Sequence, residues 1–302
     1  MRASVLLAMG LLYIVWGSTY LAIAVSVETM QPLAAAGIRF ILGGLLTLAA
    51  LAVLGRLSGV PSAAEVRGAA IVGVWLLIGG VGMVTLTESH APSNLTAVLA
   101  STAAIWVVGY RALAGERIGR GSIAAAILGI VGVIVLLSPS ISGAGTPWLL
   151  GALAASLLWS SGSFYGRRLT VPADPFVSAV IQMLTAGVVM VIGAVVLDGF
   201  GALDLTTAST HSLLALLYLV VAGAIAFSAY VWALGRLPIS TIVTHQYVNP
   251  AVAVMLGAVF LDESFGLSAL IGTALVIAAV FATVRTESSP SPVTEELVAE
   301  PS

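Results

Sequence analysis

Charged residues are scarce in this sequence, and cysteine and lysine are absent. Only 8% of the 302 residues are charged, against about 25% in a typical soluble domain, which excludes that class of protein. Without cysteine the chain cannot be a disulfide scaffold, and a net charge of −2 does not suit a nucleic-acid-binding surface. Without lysine it cannot form a Walker ATP-binding loop, so this chain alone cannot drive transport with ATP.

Hydrophobic residues, in contrast, make up 60% of the chain, and the mean hydropathy is +1.13. A membrane-spanning helix needs about 20 predominantly apolar residues, and ten runs approach that length. They lie at about 5–25, 33–54, 68–87, 92–113, 121–138, 147–166, 175–197, 212–234, 238–261 and 265–284. The sequence therefore predicts an all-α membrane protein with ten transmembrane helices.

The arginines predict the orientation of these helices. With ten spans, every arginine except Arg39 falls on the side of the membrane that holds both termini, whereas the opposite loops hold acidic residues such as Glu28 and Glu88. Positively charged loops stay on the cytoplasmic side, so both termini are predicted to be cytoplasmic. The acidic, proline- and serine-rich segment 286–302 is predicted to be a disordered cytoplasmic tail.

The sequence also repeats itself at a nearly constant offset. Trp16 has a partner in Trp159, and Arg39 has one in Gln182, both 143 positions later. Further matches in the same order predict a duplicated five-helix unit, with one copy in residues 1–140 and the other in 141–285. Because five is odd, the second copy must be inverted in the membrane. Inverted repeats with a central site are a recurring transporter architecture.

Seven short motifs occur in order along the chain. They are Trp16-Gly17-Ser18-Thr19-Tyr20, Ile38-Arg39-Phe40, Ala91-Pro92-Ser93, Gly115-Glu116-Arg117, Arg236-Leu237-Pro238-Ile239-Ser240, Asn249-Pro250 and Asp262-Glu263. With these motifs the chain resembles the EamA family of the drug/metabolite transporter superfamily. The resemblance implies an inner-membrane carrier of ten helices that exports amino acids or related small metabolites. The first repeat departs from the pattern, because Ala103-Ala104 stands where the second has Asn249-Pro250.

Arg39 is the arginine placed inside a span, about 10 Å from the interface at 1.5 Å per residue. An intramembrane charge is a candidate functional group, and its guanidinium could bind a substrate carboxylate. A structural role, with the side chain reaching towards water or bonding carbonyl groups, explains the residue equally well. The sequence leaves both interpretations open.

The ninth run carries Thr241, His245 and Asn249 at intervals of four residues, so they share one helical face. Pro250 cannot donate a hydrogen bond to the carbonyl of Gln246, and a helix loosened at membrane depth is typical of a cavity wall. His245 is the candidate for proton coupling. The alternative is a neutral histidine bonded to a neighbouring helix.

Aromatic and hydroxyl residues at helical spacing complete a predicted substrate cavity, mostly apolar with a few polar contacts. The residues predicted to line it are Trp16, Tyr20, Arg39, Ser101, Trp159, Ser163, Gln182, Tyr230, His245 and Asn249. Spans 5 and 10 carry small residues on one side, among them Gly132 and Gly272, and are predicted to be packing helices.

Other functions find little support in the sequence. No nucleotide-binding or metalloprotease motif is present, the three histidines are far apart, and no cofactor or metal is predicted. An intramembrane enzyme using Ser161 or Ser163 with His245 would rest on very common residue types. We therefore predict a secondary transporter of a small molecule that works by alternating access. Proton coupling is a hypothesis, and a gradient-independent facilitator or channel is the main alternative.

Overall fold

The computed structural model describes residues 3–57, 59–90, 96, 99–137, 146–260 and 266–288. Throughout these residues the secondary structure is helical, without a β-strand. The helices are α1 (Ala3–Val27), α2 (Pro32–Val53), α3 (Ala63–Glu88), α4 (Ala103–Leu113), α5 (Arg120–Leu137), α6 (Thr146–Tyr165), α7 (Pro175–Asp198), α8 (Thr210–Leu234), α9 (Ile239–Ile242), α10 (His245–Phe260) and α11 (Leu267–Ser288).

Each of the ten predicted apolar runs contains helix. Helices α1, α2, α3, α7 and α8 are long and apolar enough to cross a membrane, and shorter apolar helices occupy residues 99–113, 120–136 and 270–286. Large apolar side chains such as Leu45, Ile192 and Leu217 are exposed on the outside of the bundle, as lipid contact requires. The protein is thus a multi-pass membrane protein. Helix α11 extends to Ser288, which corrects the predicted start of the tail at 286, and residues 289–302 lie outside the described part.

Proline and a preceding polar side chain begin two of the long helices. Pro32 opens α2 and Pro175 opens α7, where the missing N–H would have no helical partner. Gln31 and Asp174 act as N-caps, because the side chain of each accepts a hydrogen bond from a backbone N–H of the first turn. The sequence therefore fixes where these helices enter the bundle.

Glycine allows the closest helix contacts. A Cβ added to Gly272 of α11 would lie 2.5 Å from the backbone N of Leu136 in α5, and one added to Gly132 of α5 would lie 2.9 Å from the N of Val276. Gly37 of α2 and Gly187 of α7 face each other in the same way, with backbone atoms within 3.0 Å of either added Cβ. The predicted packing role of spans 5 and 10 agrees with this geometry, since small residues let helix backbones approach in lipid.

Helix α3 contains a π-helical segment that the sequence did not predict. It spans Val74–Gly82 and lies against α6, where a Cβ added to Gly80 would meet the Trp159 ring at 2.7 Å. Leu77, Gly80 and Val81 from this segment line the cavity described below. A π-helical turn widens the helix and redirects its side chains, and such turns often occur at functional sites.

The ninth run is interrupted, but not where it was predicted to be. Pro250 lies inside α10, whereas the break falls at Val243 and Thr244, between α9 and α10. Two side chains satisfy carbonyls at the break: Thr244 Oγ1 donates to Thr241 O at 2.6 Å, and His245 Nδ1 lies 2.8 Å from Ile242 O. Such local bonds compete with helical ones, which explains a break without proline.

Candidate functional site

A cavity opens between helices α1, α2, α3, α6, α8 and α10. Its wall is mostly apolar and consists of Trp16, Thr19, Tyr20, Ile23, Arg39, Phe40, Leu77, Gly80, Val81, Val84, Ala100, Ala155, Ser156, Trp159, Gly223, Phe227, His245, Gln246 and Asn249. Its volume of about 70 Å³ is below the roughly 300–1,000 Å³ of sites for drug-sized ligands. The cavity therefore suits a small solute, or a larger one after some opening.

Four rings lie at one end of this cavity, three of them on its wall and that of Tyr230 behind them. The ring of Trp16 lies 5.3 Å from that of Trp159, 5.1 Å from that of Tyr230 and 4.6 Å from that of His245. Trp16 is eleven residues before the end of α1, or about 16 Å along the helix axis. This aromatic cluster therefore lies near the middle of the helix bundle, and the cavity extends from it towards the end at which α1 finishes and α2 begins.

Hydrogen bonds behind the cluster hold these rings in place. The hydroxyl of Tyr230 is bonded to Ser163 Oγ, which also donates to the carbonyl of Trp159. On the other side, the hydroxyl of Tyr13 lies 2.8 Å from Thr244 Oγ1 and thereby joins α1 to the helix break. These bonds link α8 to α6 and α1 to the break between α9 and α10, and they restrain the inner end of the cavity.

Arg39 is the charged group on the cavity wall. Its side chain is buried, with 7% exposed, and its Nε has no hydrogen-bond partner among the described residues. The guanidinium carbon lies 4.6 Å from the ring of Phe40, and Nη2 lies 4.0 Å from a Cβ added to Gly223. The side chain therefore lies inside the bundle and does not extend to the surface. A buried, incompletely bonded guanidinium is costly unless something else binds it.

The residues that begin α10 supply further polar atoms. His245 is fully enclosed, and its Nδ1 must donate to Ile242 O because a carbonyl can only accept. Its Nε2 and the Oε1 of Gln246 are buried without a partner among the described residues. Asn249, one turn further, also lines the cavity. Buried polar atoms without partners are uncommon in folded proteins, and here they surround one cavity.

Glu88 was predicted to lie in a loop, and the structure corrects this. It is the last residue of α3 and is 9% exposed. Both carboxylate oxygens are buried without a hydrogen-bond partner among the described residues, yet the group interacts electrostatically with Arg39. The hydropathy pattern did not predict the burial of Glu88, because a charged residue at the edge of an apolar run is ordinarily solvated.

Six of the ten predicted cavity residues line the cavity: Trp16, Tyr20, Arg39, Trp159, His245 and Asn249. Tyr230 and Ser163 lie behind it, as the supports of the aromatic cluster. Ser101 is fully buried beside Ala100, which is the residue of that segment on the wall.

Gln182 lies elsewhere. Its Nε2 donates to Ser178 Oγ, and it lines a separate surface cavity with Arg167 and Arg236. Arg39, its partner at the predicted repeat offset, faces the central cavity, so the two positions have different surroundings. Several other lining residues are not among the ten that the sequence predicts. Thr19 could have been found from its place in the Trp16–Tyr20 motif, but Val84 and Phe227 carry no signal that separates them from core residues.

Metal chemistry has no geometric support in the described residues, where no group of three histidine, aspartate or glutamate side chains could hold an ion. The polar atoms of the central cavity include a guanidinium, an imidazole and amides, which suit hydrogen bonding to an organic solute better than metal binding.

The chain matches the EamA-like transporter family over residues 3–138 and 146–285. It is 36% identical over 249 residues to the inner membrane transporter YedA of Escherichia coli strain K12, covering 82% of this chain and 79% of YedA. It is 25% identical over 288 residues to a probable amino-acid metabolite efflux pump of the same strain, covering 91% and 92%. A crystal structure aligns with a TM-score of 0.76 at 21% identity, over 94% of this chain and 98% of that one, which shows a shared fold.

Proposed function

This chain belongs to the EamA-like transporter family, and from that premise we propose that it is an inner-membrane carrier that exports amino acids or related small metabolites by alternating access. The observation that carries the proposal is the central cavity, where Arg39 Nε, His245 Nε2 and Gln246 Oε1 are buried and find no partner among the residues that the structure describes. A substrate would supply the missing hydrogen bonds. The wall is otherwise apolar and aromatic, as in small-molecule sites.

The arrangement of the chain supports alternating access. The family matches two separate segments of the chain, in agreement with the proposed repeats 1–140 and 141–285. The proposed orientation, with both termini cytoplasmic, places the basic loops inside. The cavity ends near the middle of α1, where sites between inverted repeats lie. An aromatic cluster that closes one end of the cavity is what one state of such a carrier requires.

The substrate class follows from the chemistry of the wall. Arg39 offers the donors that a carboxylate accepts, and Trp16, Trp159 and Phe227 offer apolar contact to a side chain. One relative is named as an amino-acid metabolite efflux pump. Together these features favour a small solute with one carboxylate and an apolar part.

Flux into proteoliposomes tests the proposed function. The solutes are alanine, leucine and phenylalanine, and each is compared with its amide, which lacks the carboxylate. The flux of every solute is measured with and without a pH gradient. We expect saturable flux of at least one amino acid and much slower flux of its amide. A flux that is the same with and without the pH gradient would indicate a facilitator. Equal flux of acid and amide would contradict the role of the carboxylate, and no flux of any solute by folded protein would contradict the proposed function.

The free space beside Gly223 yields a prediction about size. An added methyl group meets only Arg39 Nη2, at 4.0 Å, so Gly223→Ala should transport at close to the wild-type rate. A longer side chain would occupy the space in front of the guanidinium, so Gly223→Leu should reduce flux at least tenfold. Equal flux in both variants, measured with folded protein, would mean that substrate does not pass this position.

A further inference from the structure

Glu88 is a buried acid without a hydrogen-bond partner in the described part of the chain. Its carboxyl group ends α3, is 9% exposed, and accepts no hydrogen bond from any described residue. The ion pairs of the described residues are Arg56–Asp174 and Arg111–Glu116, so Glu88 and Arg39 do not form one, although their charges interact. Burying an unpaired carboxylate costs several kcal/mol by order of magnitude, and a group in this position binds either a proton or a cation.

The position of Glu88 connects it to the cavity. Val84, one helical turn earlier in α3, lines the wall, and residues four apart share a helical face. Tyr20, another lining residue, interacts electrostatically with Glu88. Glu88 therefore lies about one helical turn beyond the cavity wall at Val84, and its charge interacts with two groups of that wall, Tyr20 and Arg39.

Few other titratable groups face Glu88. Helix α1 contributes Tyr20 and α2 contributes Arg39. Helix α6, which packs beside this end of α3, has no acidic, basic or histidine residue between Thr146 and Tyr165. The neighbouring His90 is exposed and stacks on Trp148, with Nδ1 near Ser89 and Leu86. Among the described residues, Arg39 is thus the positive charge that interacts with Glu88.

We propose that Glu88 exchanges a proton for the ammonium group of the substrate, a role that rests on the proposed function. Without substrate, the unpaired carboxyl group holds a proton. When a zwitterion binds, its carboxylate pairs with Arg39, its ammonium pairs with Glu88, and the Glu88 proton leaves to the water on the side from which the substrate came. After release on the other side, Glu88 takes up a proton there. One proton enters for each substrate exported, so the proton gradient drives export.

His245 is less suited to this exchange. Nδ1 already donates to Ile242 O, and a second proton on the buried Nε2 would find no acceptor among the described residues. Its ring is enclosed by those of Trp16, Trp159 and Tyr230. When Glu88 loses its proton, in contrast, the ammonium group of the bound substrate and Arg39 supply positive charge to balance the carboxylate.

Infrared difference spectroscopy tests the first half of the proposal without any substrate. Wild-type protein should show the C=O band of a protonated carboxyl group that disappears as the pH is raised and is missing from Glu88→Gln. In Arg39→Gln the band should persist to higher pH, because the positive charge that favours the carboxylate is gone. Glu28→Gln, which changes an exposed carboxyl group at the same end of the bundle, should leave the band unchanged. A band unaffected by Glu88→Gln would overturn the proposal.

Proton release tests the second half, with the amino acid of the panel that is transported fastest and its analogue without the amino group. The amino acid should release about one proton per molecule bound, and the analogue none. Glu88→Gln should bind the amino acid roughly 10–100-fold more weakly, as expected for loss of a charged hydrogen bond, without proton release and with unchanged affinity for the analogue. Glu88→Asp should restore release, and Glu28→Gln, which changes an exposed carboxyl group outside the cavity, should retain it.

The outcomes separate the two proposals. Wild-type transport with the same proton release from Glu88→Gln would contradict the role of Glu88 and leave the proposed function standing. If neither the amino acids nor their analogues bind to folded wild-type protein, the proposed function fails, and the exchange fails with it. The infrared band still shows, in that case, whether Glu88 holds a proton.

Discussion

Replacing Arg39 with glutamine is expected to reduce amino-acid transport by roughly 10–100-fold and to leave the protein at least as stable as the wild type. The loss follows from removing a charged donor pair that faces the cavity, since hydrogen bonds to charged groups contribute about 1.5–3 kcal/mol. The stability follows from burial, because Arg39 is 7% exposed and its Nε has no partner within the described ranges, and an unpaired buried charge costs free energy. Flux and the thermal unfolding midpoint of the purified protein measure the two effects.

The matched control is Arg236→Gln. Arg236 is exposed and donates to the carbonyl of Trp232 at the end of α8, so this variant should transport normally. If Arg39→Gln instead lowers the unfolding temperature while the remaining folded protein transports at the normal rate, Arg39 is a structural residue. Of the two roles that the sequence left open for Arg39, that result would favour the structural role over carboxylate binding.

Replacing Gly272 with alanine is expected to destabilise the protein more than any other glycine-to-alanine change between α5 and α11. The new Cβ would lie 2.5 Å from both the N and the Cα of Leu136, and these backbone atoms cannot move aside as a flexible side chain can. Overpacking costs about 1–3 kcal/mol, and occasionally more. The unfolding midpoint of the purified protein in detergent should fall accordingly.

Gly10→Ala is the control for this prediction. A Cβ added at Gly10 meets no atom within 4 Å, and alanine favours helix over glycine by about 1 kcal/mol, so this variant should be equally or slightly more stable. Unchanged stability of Gly272→Ala would mean that α5 and α11 do not pack as closely as the structure shows.

Hydropathy and the scarcity of polar residues explain what the sequence could predict. The long apolar runs predicted where the helices lie, because lipid requires continuous apolar segments. Trp16, Arg39 and His245 could be selected because polar and large aromatic residues deep in a span are few. Each of them lies on the cavity wall.

The remaining features depend on three-dimensional packing. The π-helical segment Val74–Gly82 contains glycines but no proline, and it is recognisable only from its fit against α6. Gln182 follows the repeat offset from Arg39 but faces another cavity, because the two halves fold into different surroundings. Glu88 looks like a solvated helix end until α1 and α2 cover it. The local pattern of the sequence cannot predict any of these contacts.

The central claim is that the cavity around Arg39 binds the substrate during alternating access, and site-specific labelling tests it directly. The chain has no cysteine, so Val84→Cys introduces the only thiol, on the cavity wall. A membrane-impermeant thiol reagent should modify it, and the transported amino acid should slow the modification severalfold while its amide does not. Glu28→Cys, at an exposed position, should be modified at the same rate with and without the amino acid. Equal protection at both positions, or no protection at Val84→Cys by a transported amino acid, would contradict the claim.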